Sequence, residues 1–216
     1  MGKHALLSAS SSHRWLVCPP SAKLCAEVED MGSEYAAEGT DAHSLCEYKV
    51  LKYLGKKAEN PTANLSFYDD EMERCAEDYA AYISEIVEKV KDTCGDPVVL
   101  VEQRLDFSRY VPEGFGTGDC LIIADGTLHV IDFKYGRGVE VSALENPQMM
   151  CYALGALELF DGIYDITSVC MAIYQPRREN ISVFTMSKAG LYQWAEETLA
   201  PIAKLAYDGG GAFKAG

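Results

Sequence analysis

Residues 118–134 read Gly-Asp-Cys-Leu-Ile-Ile-Ala-Asp-Gly-Thr-Leu-His-Val-Ile-Asp-Phe-Lys, two apolar runs of strand-forming residues joined by Asp125-Gly126. Asp-Gly between such runs predicts a β-hairpin closed by a two-residue type I′ turn. That turn pairs strands 119–124 and 127–133 so that Asp119 lies directly opposite Asp132, with Cβ atoms roughly 4.5–5.5 Å apart on one face. Alternation along the strand carries Lys134 to the same face. Two carboxylates and one ammonium therefore converge at the end of an otherwise apolar hairpin. Like charges opposed across a ladder repel, and buried carboxylates tend to protonate. A divalent cation removes both difficulties. Mg²⁺ is usually held by a few carboxylates with water completing the shell, and such an ion generates a hydroxide-like nucleophile and clamps phosphate oxygens while a nearby lysine steadies the developing charge. The plainer alternative is that Lys134 simply pairs with Asp132 or Asp119 at a strand end.

Around this hairpin the pattern predicts an α/β domain. His43, Cys46, Glu47, Val50 and Leu54 fall at helical spacings within 33–54, with Gly39-Thr40 as a kink or a close backbone approach. Met72, Cys75, Tyr79, Ile83, Ile86 and Val90 form the apolar stripe of a helix from Asp69 to Cys94, stopped by Gly95 and Pro97. A strand at 98–105 and a loop containing Pro112, Gly114, Gly116 and Gly118 lead into the hairpin. Asn146-Pro147 opens a helix to Phe160. Strands at 167–174 and 181–186 follow, and Ser187 caps a last helix that Pro201 should kink or split. At the N-terminus, a serine-capped helical turn, the Pro19-Pro20 stop and a short helix from Ser21 are expected. The hairpin strands are apolar on both faces, which implies a central sheet covered by helices on each side, in an α/β layered domain. The expected organisation is a helical N-terminal segment over residues 1–68 and a core over residues 69–216.

At 216 residues, 48% hydrophobic and 24% charged, the chain can bury one sizeable core. Neither a membrane span nor an N-terminal signal core is present in the sequence, so a cytoplasmic location is expected. Eight cysteines occur, none in a Cys-x-x-Cys pair, and reduced core thiols are the expectation. The formal charge of −14 argues against a broad nucleic-acid-coating surface. Residues 1–133 hold 12 Lys/Arg against 24 Asp/Glu, and residues 134–216 hold 7 against 9. Contact with a polyanion would need a local site or a bound metal.

Gly118-Asp119 followed by a strand ending Asp132-Phe133-Lys134 resembles the PD-(D/E)XK nuclease superfamily, whose restriction-endonuclease-like core runs helix, three strands, helix, strand. Gly39-Thr40-Asp41-Ala42-His43 with Glu47, and Gln148-Met149-Met150-Cys151-Tyr152, resemble the histidine and Gln-x-x-x-Tyr motifs of its RecB-like and Cas4-like branch. The opening His4-Ala5-Leu6-Leu7-Ser8-Ala9-Ser10, Trp15, Cys18-Pro19-Pro20 and Gly32–His43 resemble a bacterial and phage family, DUF2800, over nearly the whole chain. The resemblance implies Asp119 and Asp132 as metal ligands, the Phe133 carbonyl as a third, His43 as a ligand from the N-terminal segment and Lys134 as the catalytic lysine. It implies that Gln148 and Tyr152 line the site, with Glu102 and Glu47 as supporting residues. Arg137, between Gly136 and Gly138, suits phosphate contact. Arg177-Arg178 reads as a solvated turn, with phosphate contact as the alternative.

The activity so implied is a Mg²⁺- or Mn²⁺-dependent (exo)deoxyribonuclease, with exo- and endonucleolytic cleavage both open, acting on single- or double-stranded DNA in a bacterial host alongside phage recombination or replication proteins. Relatives carry a C-terminal cysteine cluster for an iron–sulfur cluster or zinc. Residues 208–216 hold none, so either the chain stops short of it or the cluster is absent. Two alternatives stand beside this reading: an inactive nuclease-fold module that binds nucleic acid or protein, which the −14 charge favours, and an interaction protein whose carboxylates are incidental.

Overall fold

Strands whose side chains are buried above and below need a cover on each face, and the helices supply it. The structure, a computed structural model, describes residues 5–28 and 32–214; His4 of the opening motif lies outside them. Among the described residues, α1 spans Ser12–Val17, α2 Ser21–Ala26, α3 Glu34–Tyr53 and α4 Asp70–Lys91. Strands β1 (Val98–Asp106), β2 (Phe115–Ile123) and β3 (Gly126–Phe133) precede α5 (Pro147–Phe160). Then come β4 (Ile166–Gln175), β5 (Asn180–Ser187), α6 (Lys188–Trp194) and α7 (Ala200–Asp208).

The five strands form one mixed sheet in the order β1-β2-β3-β4-β5. Only β3 and β4 pair in parallel, with α5 as the crossover between them; the other neighbours are antiparallel. On one face, Leu121, Ile123, Leu128 and Val130 pack with α5, α7 and the N-terminal residues Leu7 and Trp15. On the other, Cys120, Ile122, Ile131 and Phe133 pack under α3 and α4, through Leu45, Cys46, Val50, Tyr79 and Ile83. The fold is thus an α/β layered one, a five-stranded mixed sheet flanked by helices. No described helix is long and apolar enough to cross a membrane.

Several local expectations are corrected. Helix α3 runs unbroken through Gly39-Thr40, and a side chain at Gly39 would meet nothing within 4 Å. Gly116 and Gly118 belong to β2 rather than to the preceding loop. Their bareness serves packing: a Cβ at Gly116 would sit 2.7 Å from Tyr152 Cε1, and one at Gly118 3.0 Å from Leu105. The hairpin turn is not type I′, since Gly126 has φ +86° but Asp125 is not in the positive-φ region. Both residues are instead held by the segment before β4, where Asp165 bonds the Gly126 N–H and the Asp125 carboxylate. Neither Ser8 nor Ser11 caps the N-terminal turn with its side chain; Ser8 contributes its carbonyl to the buried Trp15 indole. The last helix is split, as expected, by a π-turn at Ala195–Leu199 just before Pro201.

Candidate functional site

The β2–β3 ladder has the expected register, Cys120 facing Ile131 and Leu121 facing Val130, but it stops one pair short of the two aspartates. There the Asp119 carboxylate takes over from the backbone: its Oδ2 accepts the Phe133 N–H at 2.7 Å. The direct ladder pairing of Asp119 with Asp132 is therefore corrected to a splayed end, where a side chain replaces a main-chain acceptor. On the other side of β2, Val101 faces Cys120 and Gln103 faces Gly118, which brackets Glu102 against Asp119. Three neighbouring strands thus each deliver one carboxylate to the same level of the sheet.

His43 comes from α3. Its Nδ1 lies 3.4 Å from Asp119 Oδ1 and its ring meets Phe133 edge-on, with centroids 5.4 Å apart. Among the described residues, donor atoms of His43, Glu102 and Asp119 all lie within 4.8 Å of one another. Asp132, the other expected ligand, lies outside that group and faces Lys134. Lys134 Nζ sits 2.8 Å from Asp132 Oδ2, and the Gln148 amide donates to Asp132 Oδ1 at 3.1 Å. The same amide reaches the Tyr152 hydroxyl at 3.2 Å, one turn further along α5. The buried Asp132 Oδ2 faces that ammonium and has no second partner among the described residues.

Electrostatics tie these groups together. Burial alone would lower the His43 pKa, but the Asp119 carboxylate, with Asp132 and Glu102 behind it, lifts it to about 9. Burial and then the Asp119 charge raise Glu102 to about 7, against the pull of His43. Asp119 is held below the usual carboxylate range by His43 and the Phe133 N–H, in spite of its burial. Burial, together with the Asp119 charge, pushes Asp132 up. Lys134 is held protonated by Asp132, against burial. Without a further cation the protons of His43 and Lys134 are what neutralise this acidic nest. One imidazole and two carboxylates form a donor set suited to a borderline divalent cation, and Asp132, held by Lys134, lies beside them.

Glu102 carries more weight than its place in the sequence indicates. It is a non-glycine residue at φ +50° inside a strand, a conformation that costs on the order of 1–3 kcal/mol. Glu102→Gly is therefore expected to stabilise the metal-free protein by about 1 kcal/mol, removing both backbone strain and a crowded carboxylate, while lowering Mn²⁺ affinity at least tenfold. Urea unfolding and calorimetry on the same sample check the two signs. The readable signal was its position opposite Asp119; the backbone twist that turns it inward had none.

The remaining expected residues divide. Glu47 lies one turn beyond His43 and acts on Glu102 electrostatically, outside the donor group. Phe133 contributes its N–H and its buried ring. Arg137 is exposed and pairs with Glu71. The Pro176–Arg178 turn is solvated at Arg178 but not at Arg177, which is nearly buried, 2.9 Å from Glu38 and 3.1 Å from Glu71, with its guanidinium over the Tyr135 ring. Arg178 donates to the Arg137 and Gly138 carbonyls. These arginines brace α3, α4 and the loop after Lys134.

A family model described as "Protein of unknown function (DUF2800)" matches residues 4–216. A solved structure titled "Crystal structure of SSO0001" is similar at 16% sequence identity, over 71% of this chain and 82% of that one, with a TM-score of 0.26. A likeness of that size carries no argument about activity.

Proposed function

The chain belongs to the DUF2800 family, and we propose that it is a divalent-metal-dependent deoxyribonuclease built on a restriction-endonuclease-like core. The observation that carries this reading is the row Glu102, Asp119 and Asp132 across three adjacent strands, with His43 on one flank and Lys134 on the other. Supporting it is the order of elements: α4, then β1–β3, then α5 and β4.

His43, Glu102 and Asp119 would hold the cation, which would supply Lewis acidity toward water and phosphate oxygens. The chain's own groups do the rest. Lys134, anchored on Asp132, presents its ammonium to the non-bridging phosphate oxygens, where negative charge builds. Gln148 fixes Asp132 from α5, and the Tyr152 hydroxyl, raised by burial, stays protonated beside it. In hydrolysis, water adds to phosphorus, one P–O bond breaks, and the departing oxygen takes the proton. The products are a phosphate monoester and a hydroxyl.

Calorimetry with Mn²⁺ should show one site per chain, lost in Asp119→Asn, and Mn²⁺ should support cleavage of linear DNA by the wild type only. Absence of metal binding and of cleavage in the wild type would overturn the reading. The engagement of Arg137 and Arg177 by Glu71 and Glu38 favours one second reading, a nuclease-fold module without turnover. That module would bind DNA with a salt dependence and leave it intact.

A further inference from the structure

An open sheet has two outer strands, and each offers a row of unpaired N–H and C=O groups to any other strand unless something guards it. β1 is guarded. Its ladder to β2 lapses at Glu102, where φ is +50°, and it carries the charges of Glu102, Arg104 and Asp106. Lys56 reaches over it to the Val99 carbonyl at 2.9 Å. β5, at the other end of the sheet, has none of these protections. Its eight residues, Asn-Ile-Ser-Val-Phe-Thr-Met-Ser, hold no charge and no proline, and all of them pair with β4 in unbroken register. Among the described residues, no other segment bonds the outer backbone edge of residues 181–186.

One row of β5 side chains holds the strand in place. Phe184 and Met186 pack against the core on the α5 side. Asn180 donates to the Val141 carbonyl at 3.1 Å, and Ser182 accepts the Ala143 N–H at 2.9 Å. The alternate row, Ile181, Val183 and Thr185, stands on the α3/α4 side, opposite Tyr174, Ala172 and Cys170 of β4. All three are β-branched and exposed, Ile181 to 51% and Val183 to 55%.

We propose that β5 pairs with the β5 of a second copy of this chain, antiparallel about a two-fold axis at Val183, so that two five-stranded sheets become one. A two-fold contact has to be self-complementary, and this strand is. Val183 meets Val183, and Ile181 meets Thr185 on either side of it, cross-strand pairs of the kind that stabilise sheets. With a formal charge of −14, two copies repel over most of their surfaces; an uncharged strip is where they can touch. The strand is preceded by Glu179 and followed by Lys188. Antiparallel pairing brings each copy's Glu179 to the Lys188 end of the other, where that ammonium is shared with Asp161. Parallel pairing would set Glu179 against Glu179. Arg178, the next residue out, is turned away onto the Arg137 and Gly138 carbonyls. The pairing is independent of the acidic nest and stands or falls apart from the nuclease reading.

Sedimentation of the full chain from micromolar to near-millimolar concentration should show a monomer–dimer equilibrium. Val183→Lys, folded as checked by circular dichroism, sets two ammoniums face to face and should raise the dimer Kd by roughly tenfold or more. A second variant reads the register with little disturbance of the strand. Residues opposed across an antiparallel ladder have Cα atoms roughly 4.5–5.5 Å apart, within the disulfide range of about 4.4–6.8 Å. Val183→Cys treated with copper phenanthroline should therefore give a covalent dimer, above the background that exposed Cys25 sets in the wild type. A dimer that Val183→Lys weakens and Val183→Cys cross-links supports the pairing. A wild type that stays monomeric throughout overturns it. So does a dimer that Val183→Lys leaves intact, or one in which Val183→Cys cross-links no faster than the wild type.

Discussion

Lys134→Ala is expected to lower the rate of Mn²⁺-supported DNA cleavage by roughly 10²–10³-fold, the cost of removing one group aimed at developing charge, while Mn²⁺ binds as tightly or more so. The second half of that expectation separates a catalytic lysine from a structural one. The ammonium is 2.8 Å from Asp132 Oδ2, and deleting it removes a positive charge that competes with any cation in the same nest. The metal-free variant should lose about 1–3 kcal/mol, because the buried carboxylate keeps only its Gln148 donor, and added Mn²⁺ should restore much of that loss. Single-turnover cleavage, calorimetry and urea unfolding check the three parts. A variant that cleaves at the wild-type rate would remove Lys134 from the chemistry.

The second large effect is on pH. A cation can take its place on His43 only when the imidazole has lost its proton, and the metal-free imidazole keeps that proton up to about pH 9. Glu102 keeps its own up to about pH 7. Below pH 7 two protons must leave on binding and between pH 7 and 9 one, so Mn²⁺ affinity should climb about tenfold per unit from pH 7 to 9 and more steeply below. Over pH 6 to 9 the gain is on the order of 10⁴, and His43→Gln should remove most of the dependence above pH 7.

The stability of the metal-free protein should move the other way. Both groups have folded pKa values above their unfolded ones. The His43 contribution is complete below about pH 6.5 and lost as pH rises through 9; that of Glu102 is complete below about 4.5 and lost through 7. Melting temperature without metal should therefore fall from pH 6 to 9, and the stabilisation by Mn²⁺ should grow over the same range. A melting temperature that rises with pH would contradict the proposed charge balance.

Much of this was legible in the residues. The Asp-Gly turn set the register from Leu128 to Ile131, and Asn146-Pro147 marked the start of α5, whose Gln148 and Tyr152 share a face because they are four apart. Asp69 or Asp70 could cap α4 ahead of its apolar stripe, and Asp69 does. What escaped was where regularity ends. Nothing in the sequence says that the ladder stops at Cys120, because that follows from the Asp119 side chain taking the Phe133 N–H, a tertiary choice. Gly116 and Gly118 looked like loop residues because glycine is rare inside strands; the Tyr152 and Leu105 side chains packed against them were invisible from local pattern. Arg177 looked solvated because its partners, Glu38 and Glu71, are more than a hundred residues away.

His43 arrives from the layer above the sheet and Gln148 from the layer beneath it, and they reach Asp119 and Asp132 respectively, at the split between β2 and β3. Neither half of the sandwich holds both groups. On the nuclease proposal, any fragment, proteolytic or designed, that keeps one layer and sheds the other should lose turnover even if its secondary structure survives. Loosening α3 by heat should silence the protein before far-ultraviolet ellipticity registers a change.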